Sequence, residues 1–555
     1  MMKSKWFYMK KSSFVEGTFI ATFAIIFTKI LGLFYVIPFY AMIGVQGSAL
    51  YAYAYNIYAI FLDISSAGLP IAMSKIIGEY NALGMMDAKI RAYHIGKRIM
   101  VFLAVAIFLL MFIFAPQISN FLIGDLTGGN TPEDVAAAIR CISFAILIVP
   151  FLSVTKGFLQ GHKIINVSSF SQIIEQIIRI AIILGGTYFV IHVLNGTVTT
   201  AVCVAVTGAF VGGLVAYLFL KYKIKKSDSK ELSLNEELKK DDVTDKEIGK
   251  KIFTYALPFI IINIVSSCYN FVDMTLLLRT MDYLKMSAVD VEFATSAVTT
   301  WAPKINMIIA SIAMGMSTSL IPTMVSAYTL NNWKEVNNKF NQALQIIFFI
   351  SLPMTIGISM LATSIWSIFY GYNMNGTYIL ALNVFTGLFI NVYMITSSAL
   401  QGLNKFKIVY LSTILGFATN ALLDVPLMLL YNKIGIPPFL GAVTASITGY
   451  CLSIVISLVA LKKQCKLAYG NTIRLVLKML IPTVLMMIVV FGISKIMPVN
   501  YDSKLSCVLF VAVNAIVGAI IYFFVSFKTG IIEKVFGKES VNRILKKLTF
   551  GKVSI

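Results

Sequence analysis

Residues 99–116 read IMVFLAVAIFLLMFIFAP, a stretch of 18 positions without a charged side chain. At about 1.5 Å of rise per residue, a helix of this length nearly spans the ~30 Å hydrocarbon core of a bilayer. The apolar residues are consecutive and do not alternate with polar ones, as they would in a strand of a membrane barrel. The stretch therefore predicts a membrane-spanning helix.

Similar apolar runs recur along the whole chain. The 555 residues are 58% hydrophobic and 13% charged, about half of the ~25% charged residues usual in soluble domains. Fourteen runs are long enough to span a membrane, and they cover residues 16–42, 49–74, 99–116, 135–159, 168–193, 198–220, 254–278, 300–325, 340–362, 378–401, 408–431, 439–461, 475–497 and 505–527. This predicts an all-α polytopic membrane protein and argues against a soluble enzyme, a secreted disulfide scaffold or a nucleic-acid-binding protein.

The basic residues are distributed unevenly between the two sides of the predicted membrane. With the N-terminus placed inside, the inner segments hold 37 of the 46 Lys and Arg residues, and the outer segments hold five. Loops rich in Lys and Arg stay in the cytoplasm. The asymmetry predicts that both termini are cytoplasmic. Most of the net charge of +21 therefore lies on the cytoplasmic side, where the basic residues set the topology and contact anionic membrane lipids.

One long polar segment, residues 221–251, divides the predicted helices into six and eight. We expect an N-terminal lobe over 1–220, a cytoplasmic linker over 221–251, a C-terminal lobe over 252–461 and two further helices over 462–527. The tail 528–555 repeats apolar residues at helical spacing and carries lysines on its other face. It predicts an amphipathic helix on the cytoplasmic leaflet, with a binding site for a partner protein as the alternative.

Two parts of the sequence resemble each other at a regular spacing. ISSAGLPIAMSKI (64–76) is similar to IAMGMSTSLIPTMVSAY (312–328), and GFLQGHKI (157–164) is similar to SALQGLNKFKI (398–408). The matching residues are 252 positions apart in the first pair and 241 in the second. Two related six-helix lobes predict a transporter that rocks one lobe against the other around a central site.

Motifs for covalent chemistry are missing from the sequence. It contains no GxxxxGK[ST] phosphate loop, no HExxH, no GxSxG and no CxxC pair among its six cysteines. These absences argue against an ATPase motor, a zinc site and a redox pair. A membrane-embedded glycosyltransferase or polymerase would need an acidic cluster on one face, and the outer segments show none. We therefore expect a transporter and not an enzyme.

A family resemblance is carried by the block FTKILGLFYVIPFYAMIGVQGSALYAYAYNIYAIFLDISSAGLPIAMSKIIGEYNALG at 27–84. It resembles the MurJ-like lipid II flippases, in the YtgP and stage V sporulation protein B branch of the MOP (multidrug/oligosaccharidyl-lipid/polysaccharide) exporter superfamily. The likeness continues in the LQG motif at 159–161, in YNFVD at 269–273 and in PKINMIIASIAMGMSTSLIP at 303–322. The resemblance implies a MATE-like fold of fourteen helices: two six-helix lobes plus two C-terminal helices.

The implied function is the movement of a lipid-linked peptidoglycan precursor, lipid II, from the inner to the outer leaflet of the bacterial plasma membrane. Two rivals remain open. One is a flippase for another undecaprenyl-linked polysaccharide unit. The other is a multidrug/cation antiporter of the same superfamily, which would need an acidic cavity. Lys29 argues against the antiporter, whereas Asp63 and Glu175 favour it.

Two lysines are implied as contacts of the substrate headgroup. Lys29 lies in the middle of the first predicted helix and aligns with a basic residue of the family's central cavity, and Lys304 opens the eighth helix at another basic position. An ionisable group in a span costs at least ~2.5 kcal/mol, so it should face a partner or a cavity. A structural pair with Asp63 is the alternative for Lys29, and snorkelling to the interface is the alternative for Lys304. Tyr35 stands where Gram-negative flippases have a second arginine.

Four further polar residues are candidate substrate contacts beside Asp63. Glu175 and Arg179 lie four residues apart, on one helix face, and could instead pair with each other. Gln160 and Gln401 occupy matching LQG positions, where they could bind sugar hydroxyls or cap helix ends.

A possible sodium site is also implied by the resemblance. Its candidate ligands are Asp273 on the seventh helix, Asn420 and Asp424 one turn apart on the eleventh, and Ser446 on the twelfth. Oxygen ligands of this kind suit a hard cation. Hydrogen bonding between helices without an ion is the alternative.

Overall fold

The computed structural model describes residues 14–66, 68–124, 129–226 and 241–537. Across these ranges the secondary structure is helical, and no strand occurs in them. The chain divides into two compact units, residues 1–300 and 301–555.

The first unit contains eleven α-helices. They are α1 (Phe14–Phe34), α2 (Val36–Ser66), α3 (Leu69–Ala82), α4 (Met86–Ile113), α5 (Ala115–Ile123), α6 (Pro132–Ser143), α7 (Val149–Gly161), α8 (Ile165–Ala181), α9 (Val198–Lys225), α10 (Asp245–Tyr283) and α11 (Ala288–Ser296). Short 3-10 and π-helical segments continue α6 into α7 and extend α8 and α11.

The second unit contains nine α-helices within the described residues. They are α12 (Ala302–Thr329), α13 (Trp333–Met360), α14 (Ala362–Tyr370), α15 (Met374–Gly402), α16 (Phe406–Lys433), α17 (Phe439–Cys465), α18 (Gly470–Ile496), α19 (Lys504–Lys528) and α20 (Ile531–Phe536). Prolines inside α13, α16 and α18 are tolerated, because neighbouring groups in a membrane protein can satisfy the freed carbonyls.

The predicted polytopic membrane architecture is confirmed. In the described part of the chain, eleven helices are long and apolar enough to cross a membrane, and a twelfth follows if the bent pair Phe23–Phe34 and Val36–Ser65 is one span. Each of the fourteen predicted runs overlaps a helix. The count of fourteen spans stays a prediction.

The break predicted between residues 42 and 49 takes the form of a kink inside α2. Gly44 has a φ of 64°, a left-handed backbone conformation that disfavours any residue with a Cβ atom. The helical hydrogen bonding continues on both sides, so α2 runs from Val36 to Ser66. The break in hydropathy therefore marks a bend and not a loop.

Helix α10 begins outside the membrane-spanning stretch at a capping box. The Thr244 side chain accepts from the backbone N–H of Glu247, and Glu247 accepts from the backbone N–H of Thr244 at 2.9 Å. Two hydrogen bonds from Thr244 hold the pKa of Glu247 below its usual value. The bond from the Thr244 backbone N–H has the larger effect, and the bond from the Thr244 side chain has the smaller one. The two bonds satisfy donors that a helix start leaves open.

Polar contacts hold α10 within the first unit. Lys251 pairs with Glu79 of α3 at 2.6 Å, and Asp245 pairs with Arg91 of α4 at 2.9 Å. The Ser267 hydroxyl also donates to Asp63 of α2. By these contacts α10 belongs to the unit that ends at residue 300, although the hydropathy pattern assigned it to the C-terminal lobe. Which helices move together as lobes stays a prediction.

Some sequence predictions lie outside the described residues. These are the N-terminal lysines at 1–13, the central part of the linker at 227–240, and the tail from 538 onward. The described start of the tail, α20, buries Ile531 and Val535 and exposes Lys534. This arrangement is the one expected at the beginning of an amphipathic helix.

We expect Gly441→Ala to lower the melting temperature of the protein. A Cβ atom at Gly441 would lie 2.5 Å from the backbone nitrogen of Met428, where α17 crosses α16, and a backbone atom cannot rotate aside. Overpacking of this kind costs about 1–3 kcal/mol. The measurement is thermal unfolding of the purified protein in detergent. Gly492→Ala is the matched control, because nothing lies within 4 Å of its Cβ position. Equal melting temperatures for the two variants would contradict this prediction.

Candidate functional site

Glu175 joins two cations on neighbouring helices of the first unit. One carboxylate oxygen accepts from Arg179 of the same helix α8 at 2.9 Å, and the other accepts from Lys156 of α7 at 2.9 Å. The three side chains are 14–20% exposed. The predicted pairing of Glu175 with Arg179 is therefore present, and it includes a second cation that the sequence analysis did not select.

Lys29 approaches this pair from α1, which packs along α8. The packing is close: a Cβ atom at Gly32 would lie 3.3 Å from the Gln176 amide nitrogen. The ammonium of Lys29 and the guanidinium of Arg179 lie within electrostatic range of each other. Lys29, Lys156, Glu175 and Arg179 form what we call the basic cluster, with three cations and one carboxylate.

Tyrosines of α2 form the next layer around the guanidinium. Tyr51, Tyr55 and Tyr58 recur at helical spacing, and all three lie within electrostatic range of Arg179. The Tyr51 and Tyr55 rings stack with centroids 5.7 Å apart, and the Tyr51 hydroxyl lies 3.4 Å from the hydroxyl of Tyr35. Tyr35 is thus part of the same layer of phenol groups.

Two donors of this site have no partner among the described atoms. The Arg179 Nε and the Tyr58 hydroxyl are both buried and unpaired there. Buried donors without an acceptor are unfavourable, so an incoming acceptor would be stabilised. Guanidinium and ammonium groups bind phosphate oxygens through short, charge-assisted hydrogen bonds. The arrangement therefore suits an anionic, phosphate-bearing ligand.

Asp63 lies on the same helix as the tyrosines but has a different partner. It accepts the hydrogen bond from the Ser267 hydroxyl of α10. Its charge also acts on Tyr58, which connects it electrostatically to the edge of the cluster. The structure thus gives Asp63 a contact between α2 and α10.

The two glutamines of the LQG motifs bond locally. Gln160 donates to the Ser168 hydroxyl at 3.2 Å, and Gln401 donates to the Ser397 hydroxyl at 3.1 Å. Each lies in the last turn of its helix, α7 or α15. Neither bond reaches a backbone group, so neither is a helix-end cap, and the choice between sugar binding and capping stays a prediction.

Lys304 is buried in the second unit, with 9% of its surface exposed. Its ammonium lies 4.3 Å from the centre of the buried Trp301 ring, a cation–π distance. The Trp301 carbonyl accepts from the hydroxyl of Tyr370 at 2.8 Å. The structure therefore places the Lys304 ammonium over a fixed aromatic face.

The candidate sodium ligands divide between the two units. Asp273 is a buried residue of α10 in the first unit, whereas Asn420, Asp424 and Ser446 lie on α16 and α17 of the second. Asn420 and Asp424 are fully buried. A carboxylate, an amide and a hydroxyl are oxygen donors that fit a hard monovalent cation. No group of three or more His, Cys, Asp or Glu residues able to hold a metal occurs in the described ranges.

Sequence reasoning missed Lys156 and the three tyrosines. Lys156 lies inside α7, four residues before Gln160, close to the predicted end of its span, where a lysine is also typical of an inner loop. The signal for the tyrosines is present in the sequence, because Tyr51, Tyr55 and Tyr58 share one helix face by their spacing. Their closeness to α8 depends on tertiary packing.

Comparison with known proteins gives the family. The profile of the polysaccharide biosynthesis protein family matches residues 14–328, more than half of the chain. The chain belongs to the polysaccharide biosynthesis protein family. The region matched contains the basic cluster and α10.

Relatives of this family member confirm the resemblance carried by residues 27–84. The chain is 28% identical to the lipid II flippase MurJ of Bacillus subtilis over 539 aligned residues. The alignment covers 95% of this chain and 97% of that protein. It is also 21% identical over 447 residues to stage V sporulation protein B of the same organism, covering 80% and 82% of the two chains.

Solved structures agree on the fold of this family member. A lipid II flippase MurJ in an inward closed conformation superposes with a TM-score of 0.64, at 17% identity, over 93% of this chain and 99% of that one. A multidrug resistance MATE transporter of the MOP superfamily, in an inward-facing conformation, also gives 0.64 at 16% identity over 80% and 98%. The MATE-like fold is thereby confirmed.

Proposed function

We propose that this protein is a lipid II flippase of the bacterial plasma membrane. It moves the lipid-linked peptidoglycan precursor from the inner to the outer leaflet by alternating access and carries out no covalent chemistry. Fourteen helices form two six-helix lobes and a C-terminal pair, and both termini are cytoplasmic. The similarity to MurJ over nearly the whole chain supports the assignment.

The basic cluster is the observation that carries the proposal. A diphosphate group is strongly disfavoured in hydrocarbon, and fixed cations reduce that penalty. Lys29, Lys156 and Arg179 outnumber Glu175 by three to one. A net positive site suits the diphosphate of a polyprenyl-linked glycan and disfavours the cationic substrates of a multidrug antiporter.

A polyprenyl tail has a matching surface in the second unit. Helices α13, α18 and α19 enclose an apolar groove of about 410 Å³. Its lining includes Phe349, Met354, Met486, Val490, Val511 and Phe523. A hydrocarbon chain gains free energy by leaving lipid only where packing is close, so this groove would guide the tail along the pair α18 and α19.

Asn420, Asp424 and Ser446 would hold a sodium ion in the second unit. The bound cation would neutralise the buried carboxylate of Asp424 and so favour the conformation in which these oxygens converge. Membrane potential, with or without sodium, would reset the transport cycle.

Complementation tests the proposal. The chain is expressed in a bacterium depleted of its own lipid II flippase, and the accessibility of lipid II at the outer leaflet is measured together with growth. We expect both to be restored. If growth and accessible lipid II are not restored although the protein reaches the membrane, the substrate is a different one. Restored transport of another undecaprenyl-linked glycan would then identify the rival flippase, and increased drug resistance the antiporter.

A further inference from the structure

A polar cavity lies in the second unit, far along the chain from the basic cluster. It has a volume of about 530 Å³ and is bounded by the start of α13, the start of α18 and the short helix α20. All three segments belong to stretches that the Lys and Arg distribution assigns to the cytoplasmic side. The volume falls within the ~300–1,000 Å³ usual for small-molecule sites.

One wall of the cavity is a hydrogen-bonded network. The Thr472 hydroxyl donates to the Asn341 carbonyl oxygen at 2.6 Å, and Gln345 donates to the Thr472 hydroxyl at 2.9 Å. Asn341 also donates to the Ala468 carbonyl at 2.9 Å, and the Asn337 side chain accepts from the Ala468 N–H at 2.9 Å. These bonds fix the start of α13 against the start of α18, so the cavity is already shaped.

Other polar groups on the lining have no such bonds. Within the described structure, Asn338, Gln342 and Asn471 make no side-chain hydrogen bond, and the Lys534 ammonium makes no ion pair. Among the described residues, no acidic side chain lines the cavity. The free groups are therefore three carboxamides, which donate and accept hydrogen bonds, and one cation.

We propose that this cavity binds a phosphate ester that carries free hydroxyl groups, such as the phosphoglycerol headgroup of an anionic lipid. The Lys534 ammonium would bind the phosphate through a charge-assisted hydrogen bond. The carboxamides of Asn338, Gln342 and Asn471 would bind the hydroxyls, because a carboxamide can donate to and accept from the same hydroxyl group. A zwitterionic headgroup without hydroxyls keeps the phosphate but offers the carboxamides no hydroxyl, and its own cation already balances the phosphate charge.

The same helices continue into the apolar groove that we assign to the polyprenyl tail, so the acyl chains of a bound lipid would lie along its edge, in the bilayer. Gln345 lines the polar cavity, and Phe349, one turn later on α13, lines the apolar groove. Helix α18 lines both in the same order, from Asn471 to Met486. A polar site that leads within one helical turn to an apolar groove matches a lipid better than a free ester.

Native mass spectrometry of the purified full-length chain in detergent tests this site. The probes are phosphatidylglycerol and phosphatidylcholine with the same acyl chains, and sn-glycerol 3-phosphate as the free ester. The test variant is Gln342→Leu combined with Lys534→Gln. The matched control is Gln464→Leu combined with Lys463→Gln, which changes two exposed residues at the end of α17 that do not line the cavity.

We expect the unchanged protein to retain phosphatidylglycerol about tenfold more tightly than phosphatidylcholine. The test variant loses this preference, and the control variant keeps it. Competition by sn-glycerol 3-phosphate at equal concentration would support the same site with a free ester as the ligand, whereas weak competition would support the lipid. Equal retention of the two lipids by the unchanged protein, or the same loss in both variants, would overturn the proposal.

Discussion

Arg179→Gln is expected to reduce lipid II flipping about ten- to a hundredfold while the protein still inserts into the membrane. Arg179 forms an ion pair with Glu175 and also interacts electrostatically with the Lys29 ammonium and with the tyrosines of α2. Glutamine keeps a donor near Glu175, which also retains Lys156, so the fold should survive. Loss of a charged hydrogen bond to phosphate removes about 1.5–3 kcal/mol, a reduction of roughly ten- to a hundredfold in transport.

The measurement is the leaflet accessibility of lipid II in the depleted strain, with the membrane level of the variant determined by immunoblotting. Lys221→Gln is the matched control, because it removes one cation from an exposed position on α9 of the same unit. Lys29→Ala should resemble Arg179→Gln, since its ammonium acts on the same site. Full flipping by both cluster variants would remove the basic cluster from the mechanism and leave the diphosphate without a cationic contact in the first unit.

Hydropathy predicted the helices well because the bilayer imposes a length and a composition on each span separately. Residues 198–220, for example, correspond to α9, and residues 408–431 to α16. Where a span bends, hydropathy cannot distinguish a kink from a loop. The predicted gap after residue 42 is the kink at Gly44, and the run 49–74 is divided between α2 and α3.

Side-chain partners were predicted only where they lie on one helix. Glu175 and Arg179 are four residues apart, and that spacing alone places them together. Lys156 joins them from another helix, and Asp63 pairs with Ser267 more than 200 positions away in sequence. Such contacts depend on how the helices pack against each other. A hydropathy pattern shows which face of a helix is apolar, but it does not show which helix lies against that face.

The burial of Lys304 also depends on how the surrounding residues pack, which hydropathy does not predict. Its position near a helix end made snorkelling a reasonable alternative, because a long side chain can reach water from there. The packing of Trp301 under its ammonium provides an aromatic partner inside the protein, which the sequence does not indicate. The hydroxyl of Tyr370 fixes the Trp301 backbone, so the lysine and its aromatic partner are held by the same local structure.

Asp424→Asn is expected to remove a sodium-specific stabilisation of the protein. The Asp424 carboxylate is completely buried beside the equally buried Asn420, and a carboxylate in such a position is strongly stabilised by a bound cation. If sodium is present at about ten times its dissociation constant, binding raises the free energy of unfolding by about 1.4 kcal/mol. Asparagine keeps the size of the side chain but loses the charge that attracts the ion.

Thermal unfolding of the purified protein in NaCl and in KCl at equal ionic strength measures this effect. The unchanged protein should melt at a higher temperature in NaCl, and the difference should vanish in Asp424→Asn. Asp502→Asn is the matched control, because Asp502 is an exposed carboxylate between α18 and α19. General screening by salt acts equally in both solutions, so only a specific site distinguishes them. An equal melting temperature in the two salts for the unchanged protein, or a difference that survives in Asp424→Asn, would show that Asp424 bonds between helices without an ion.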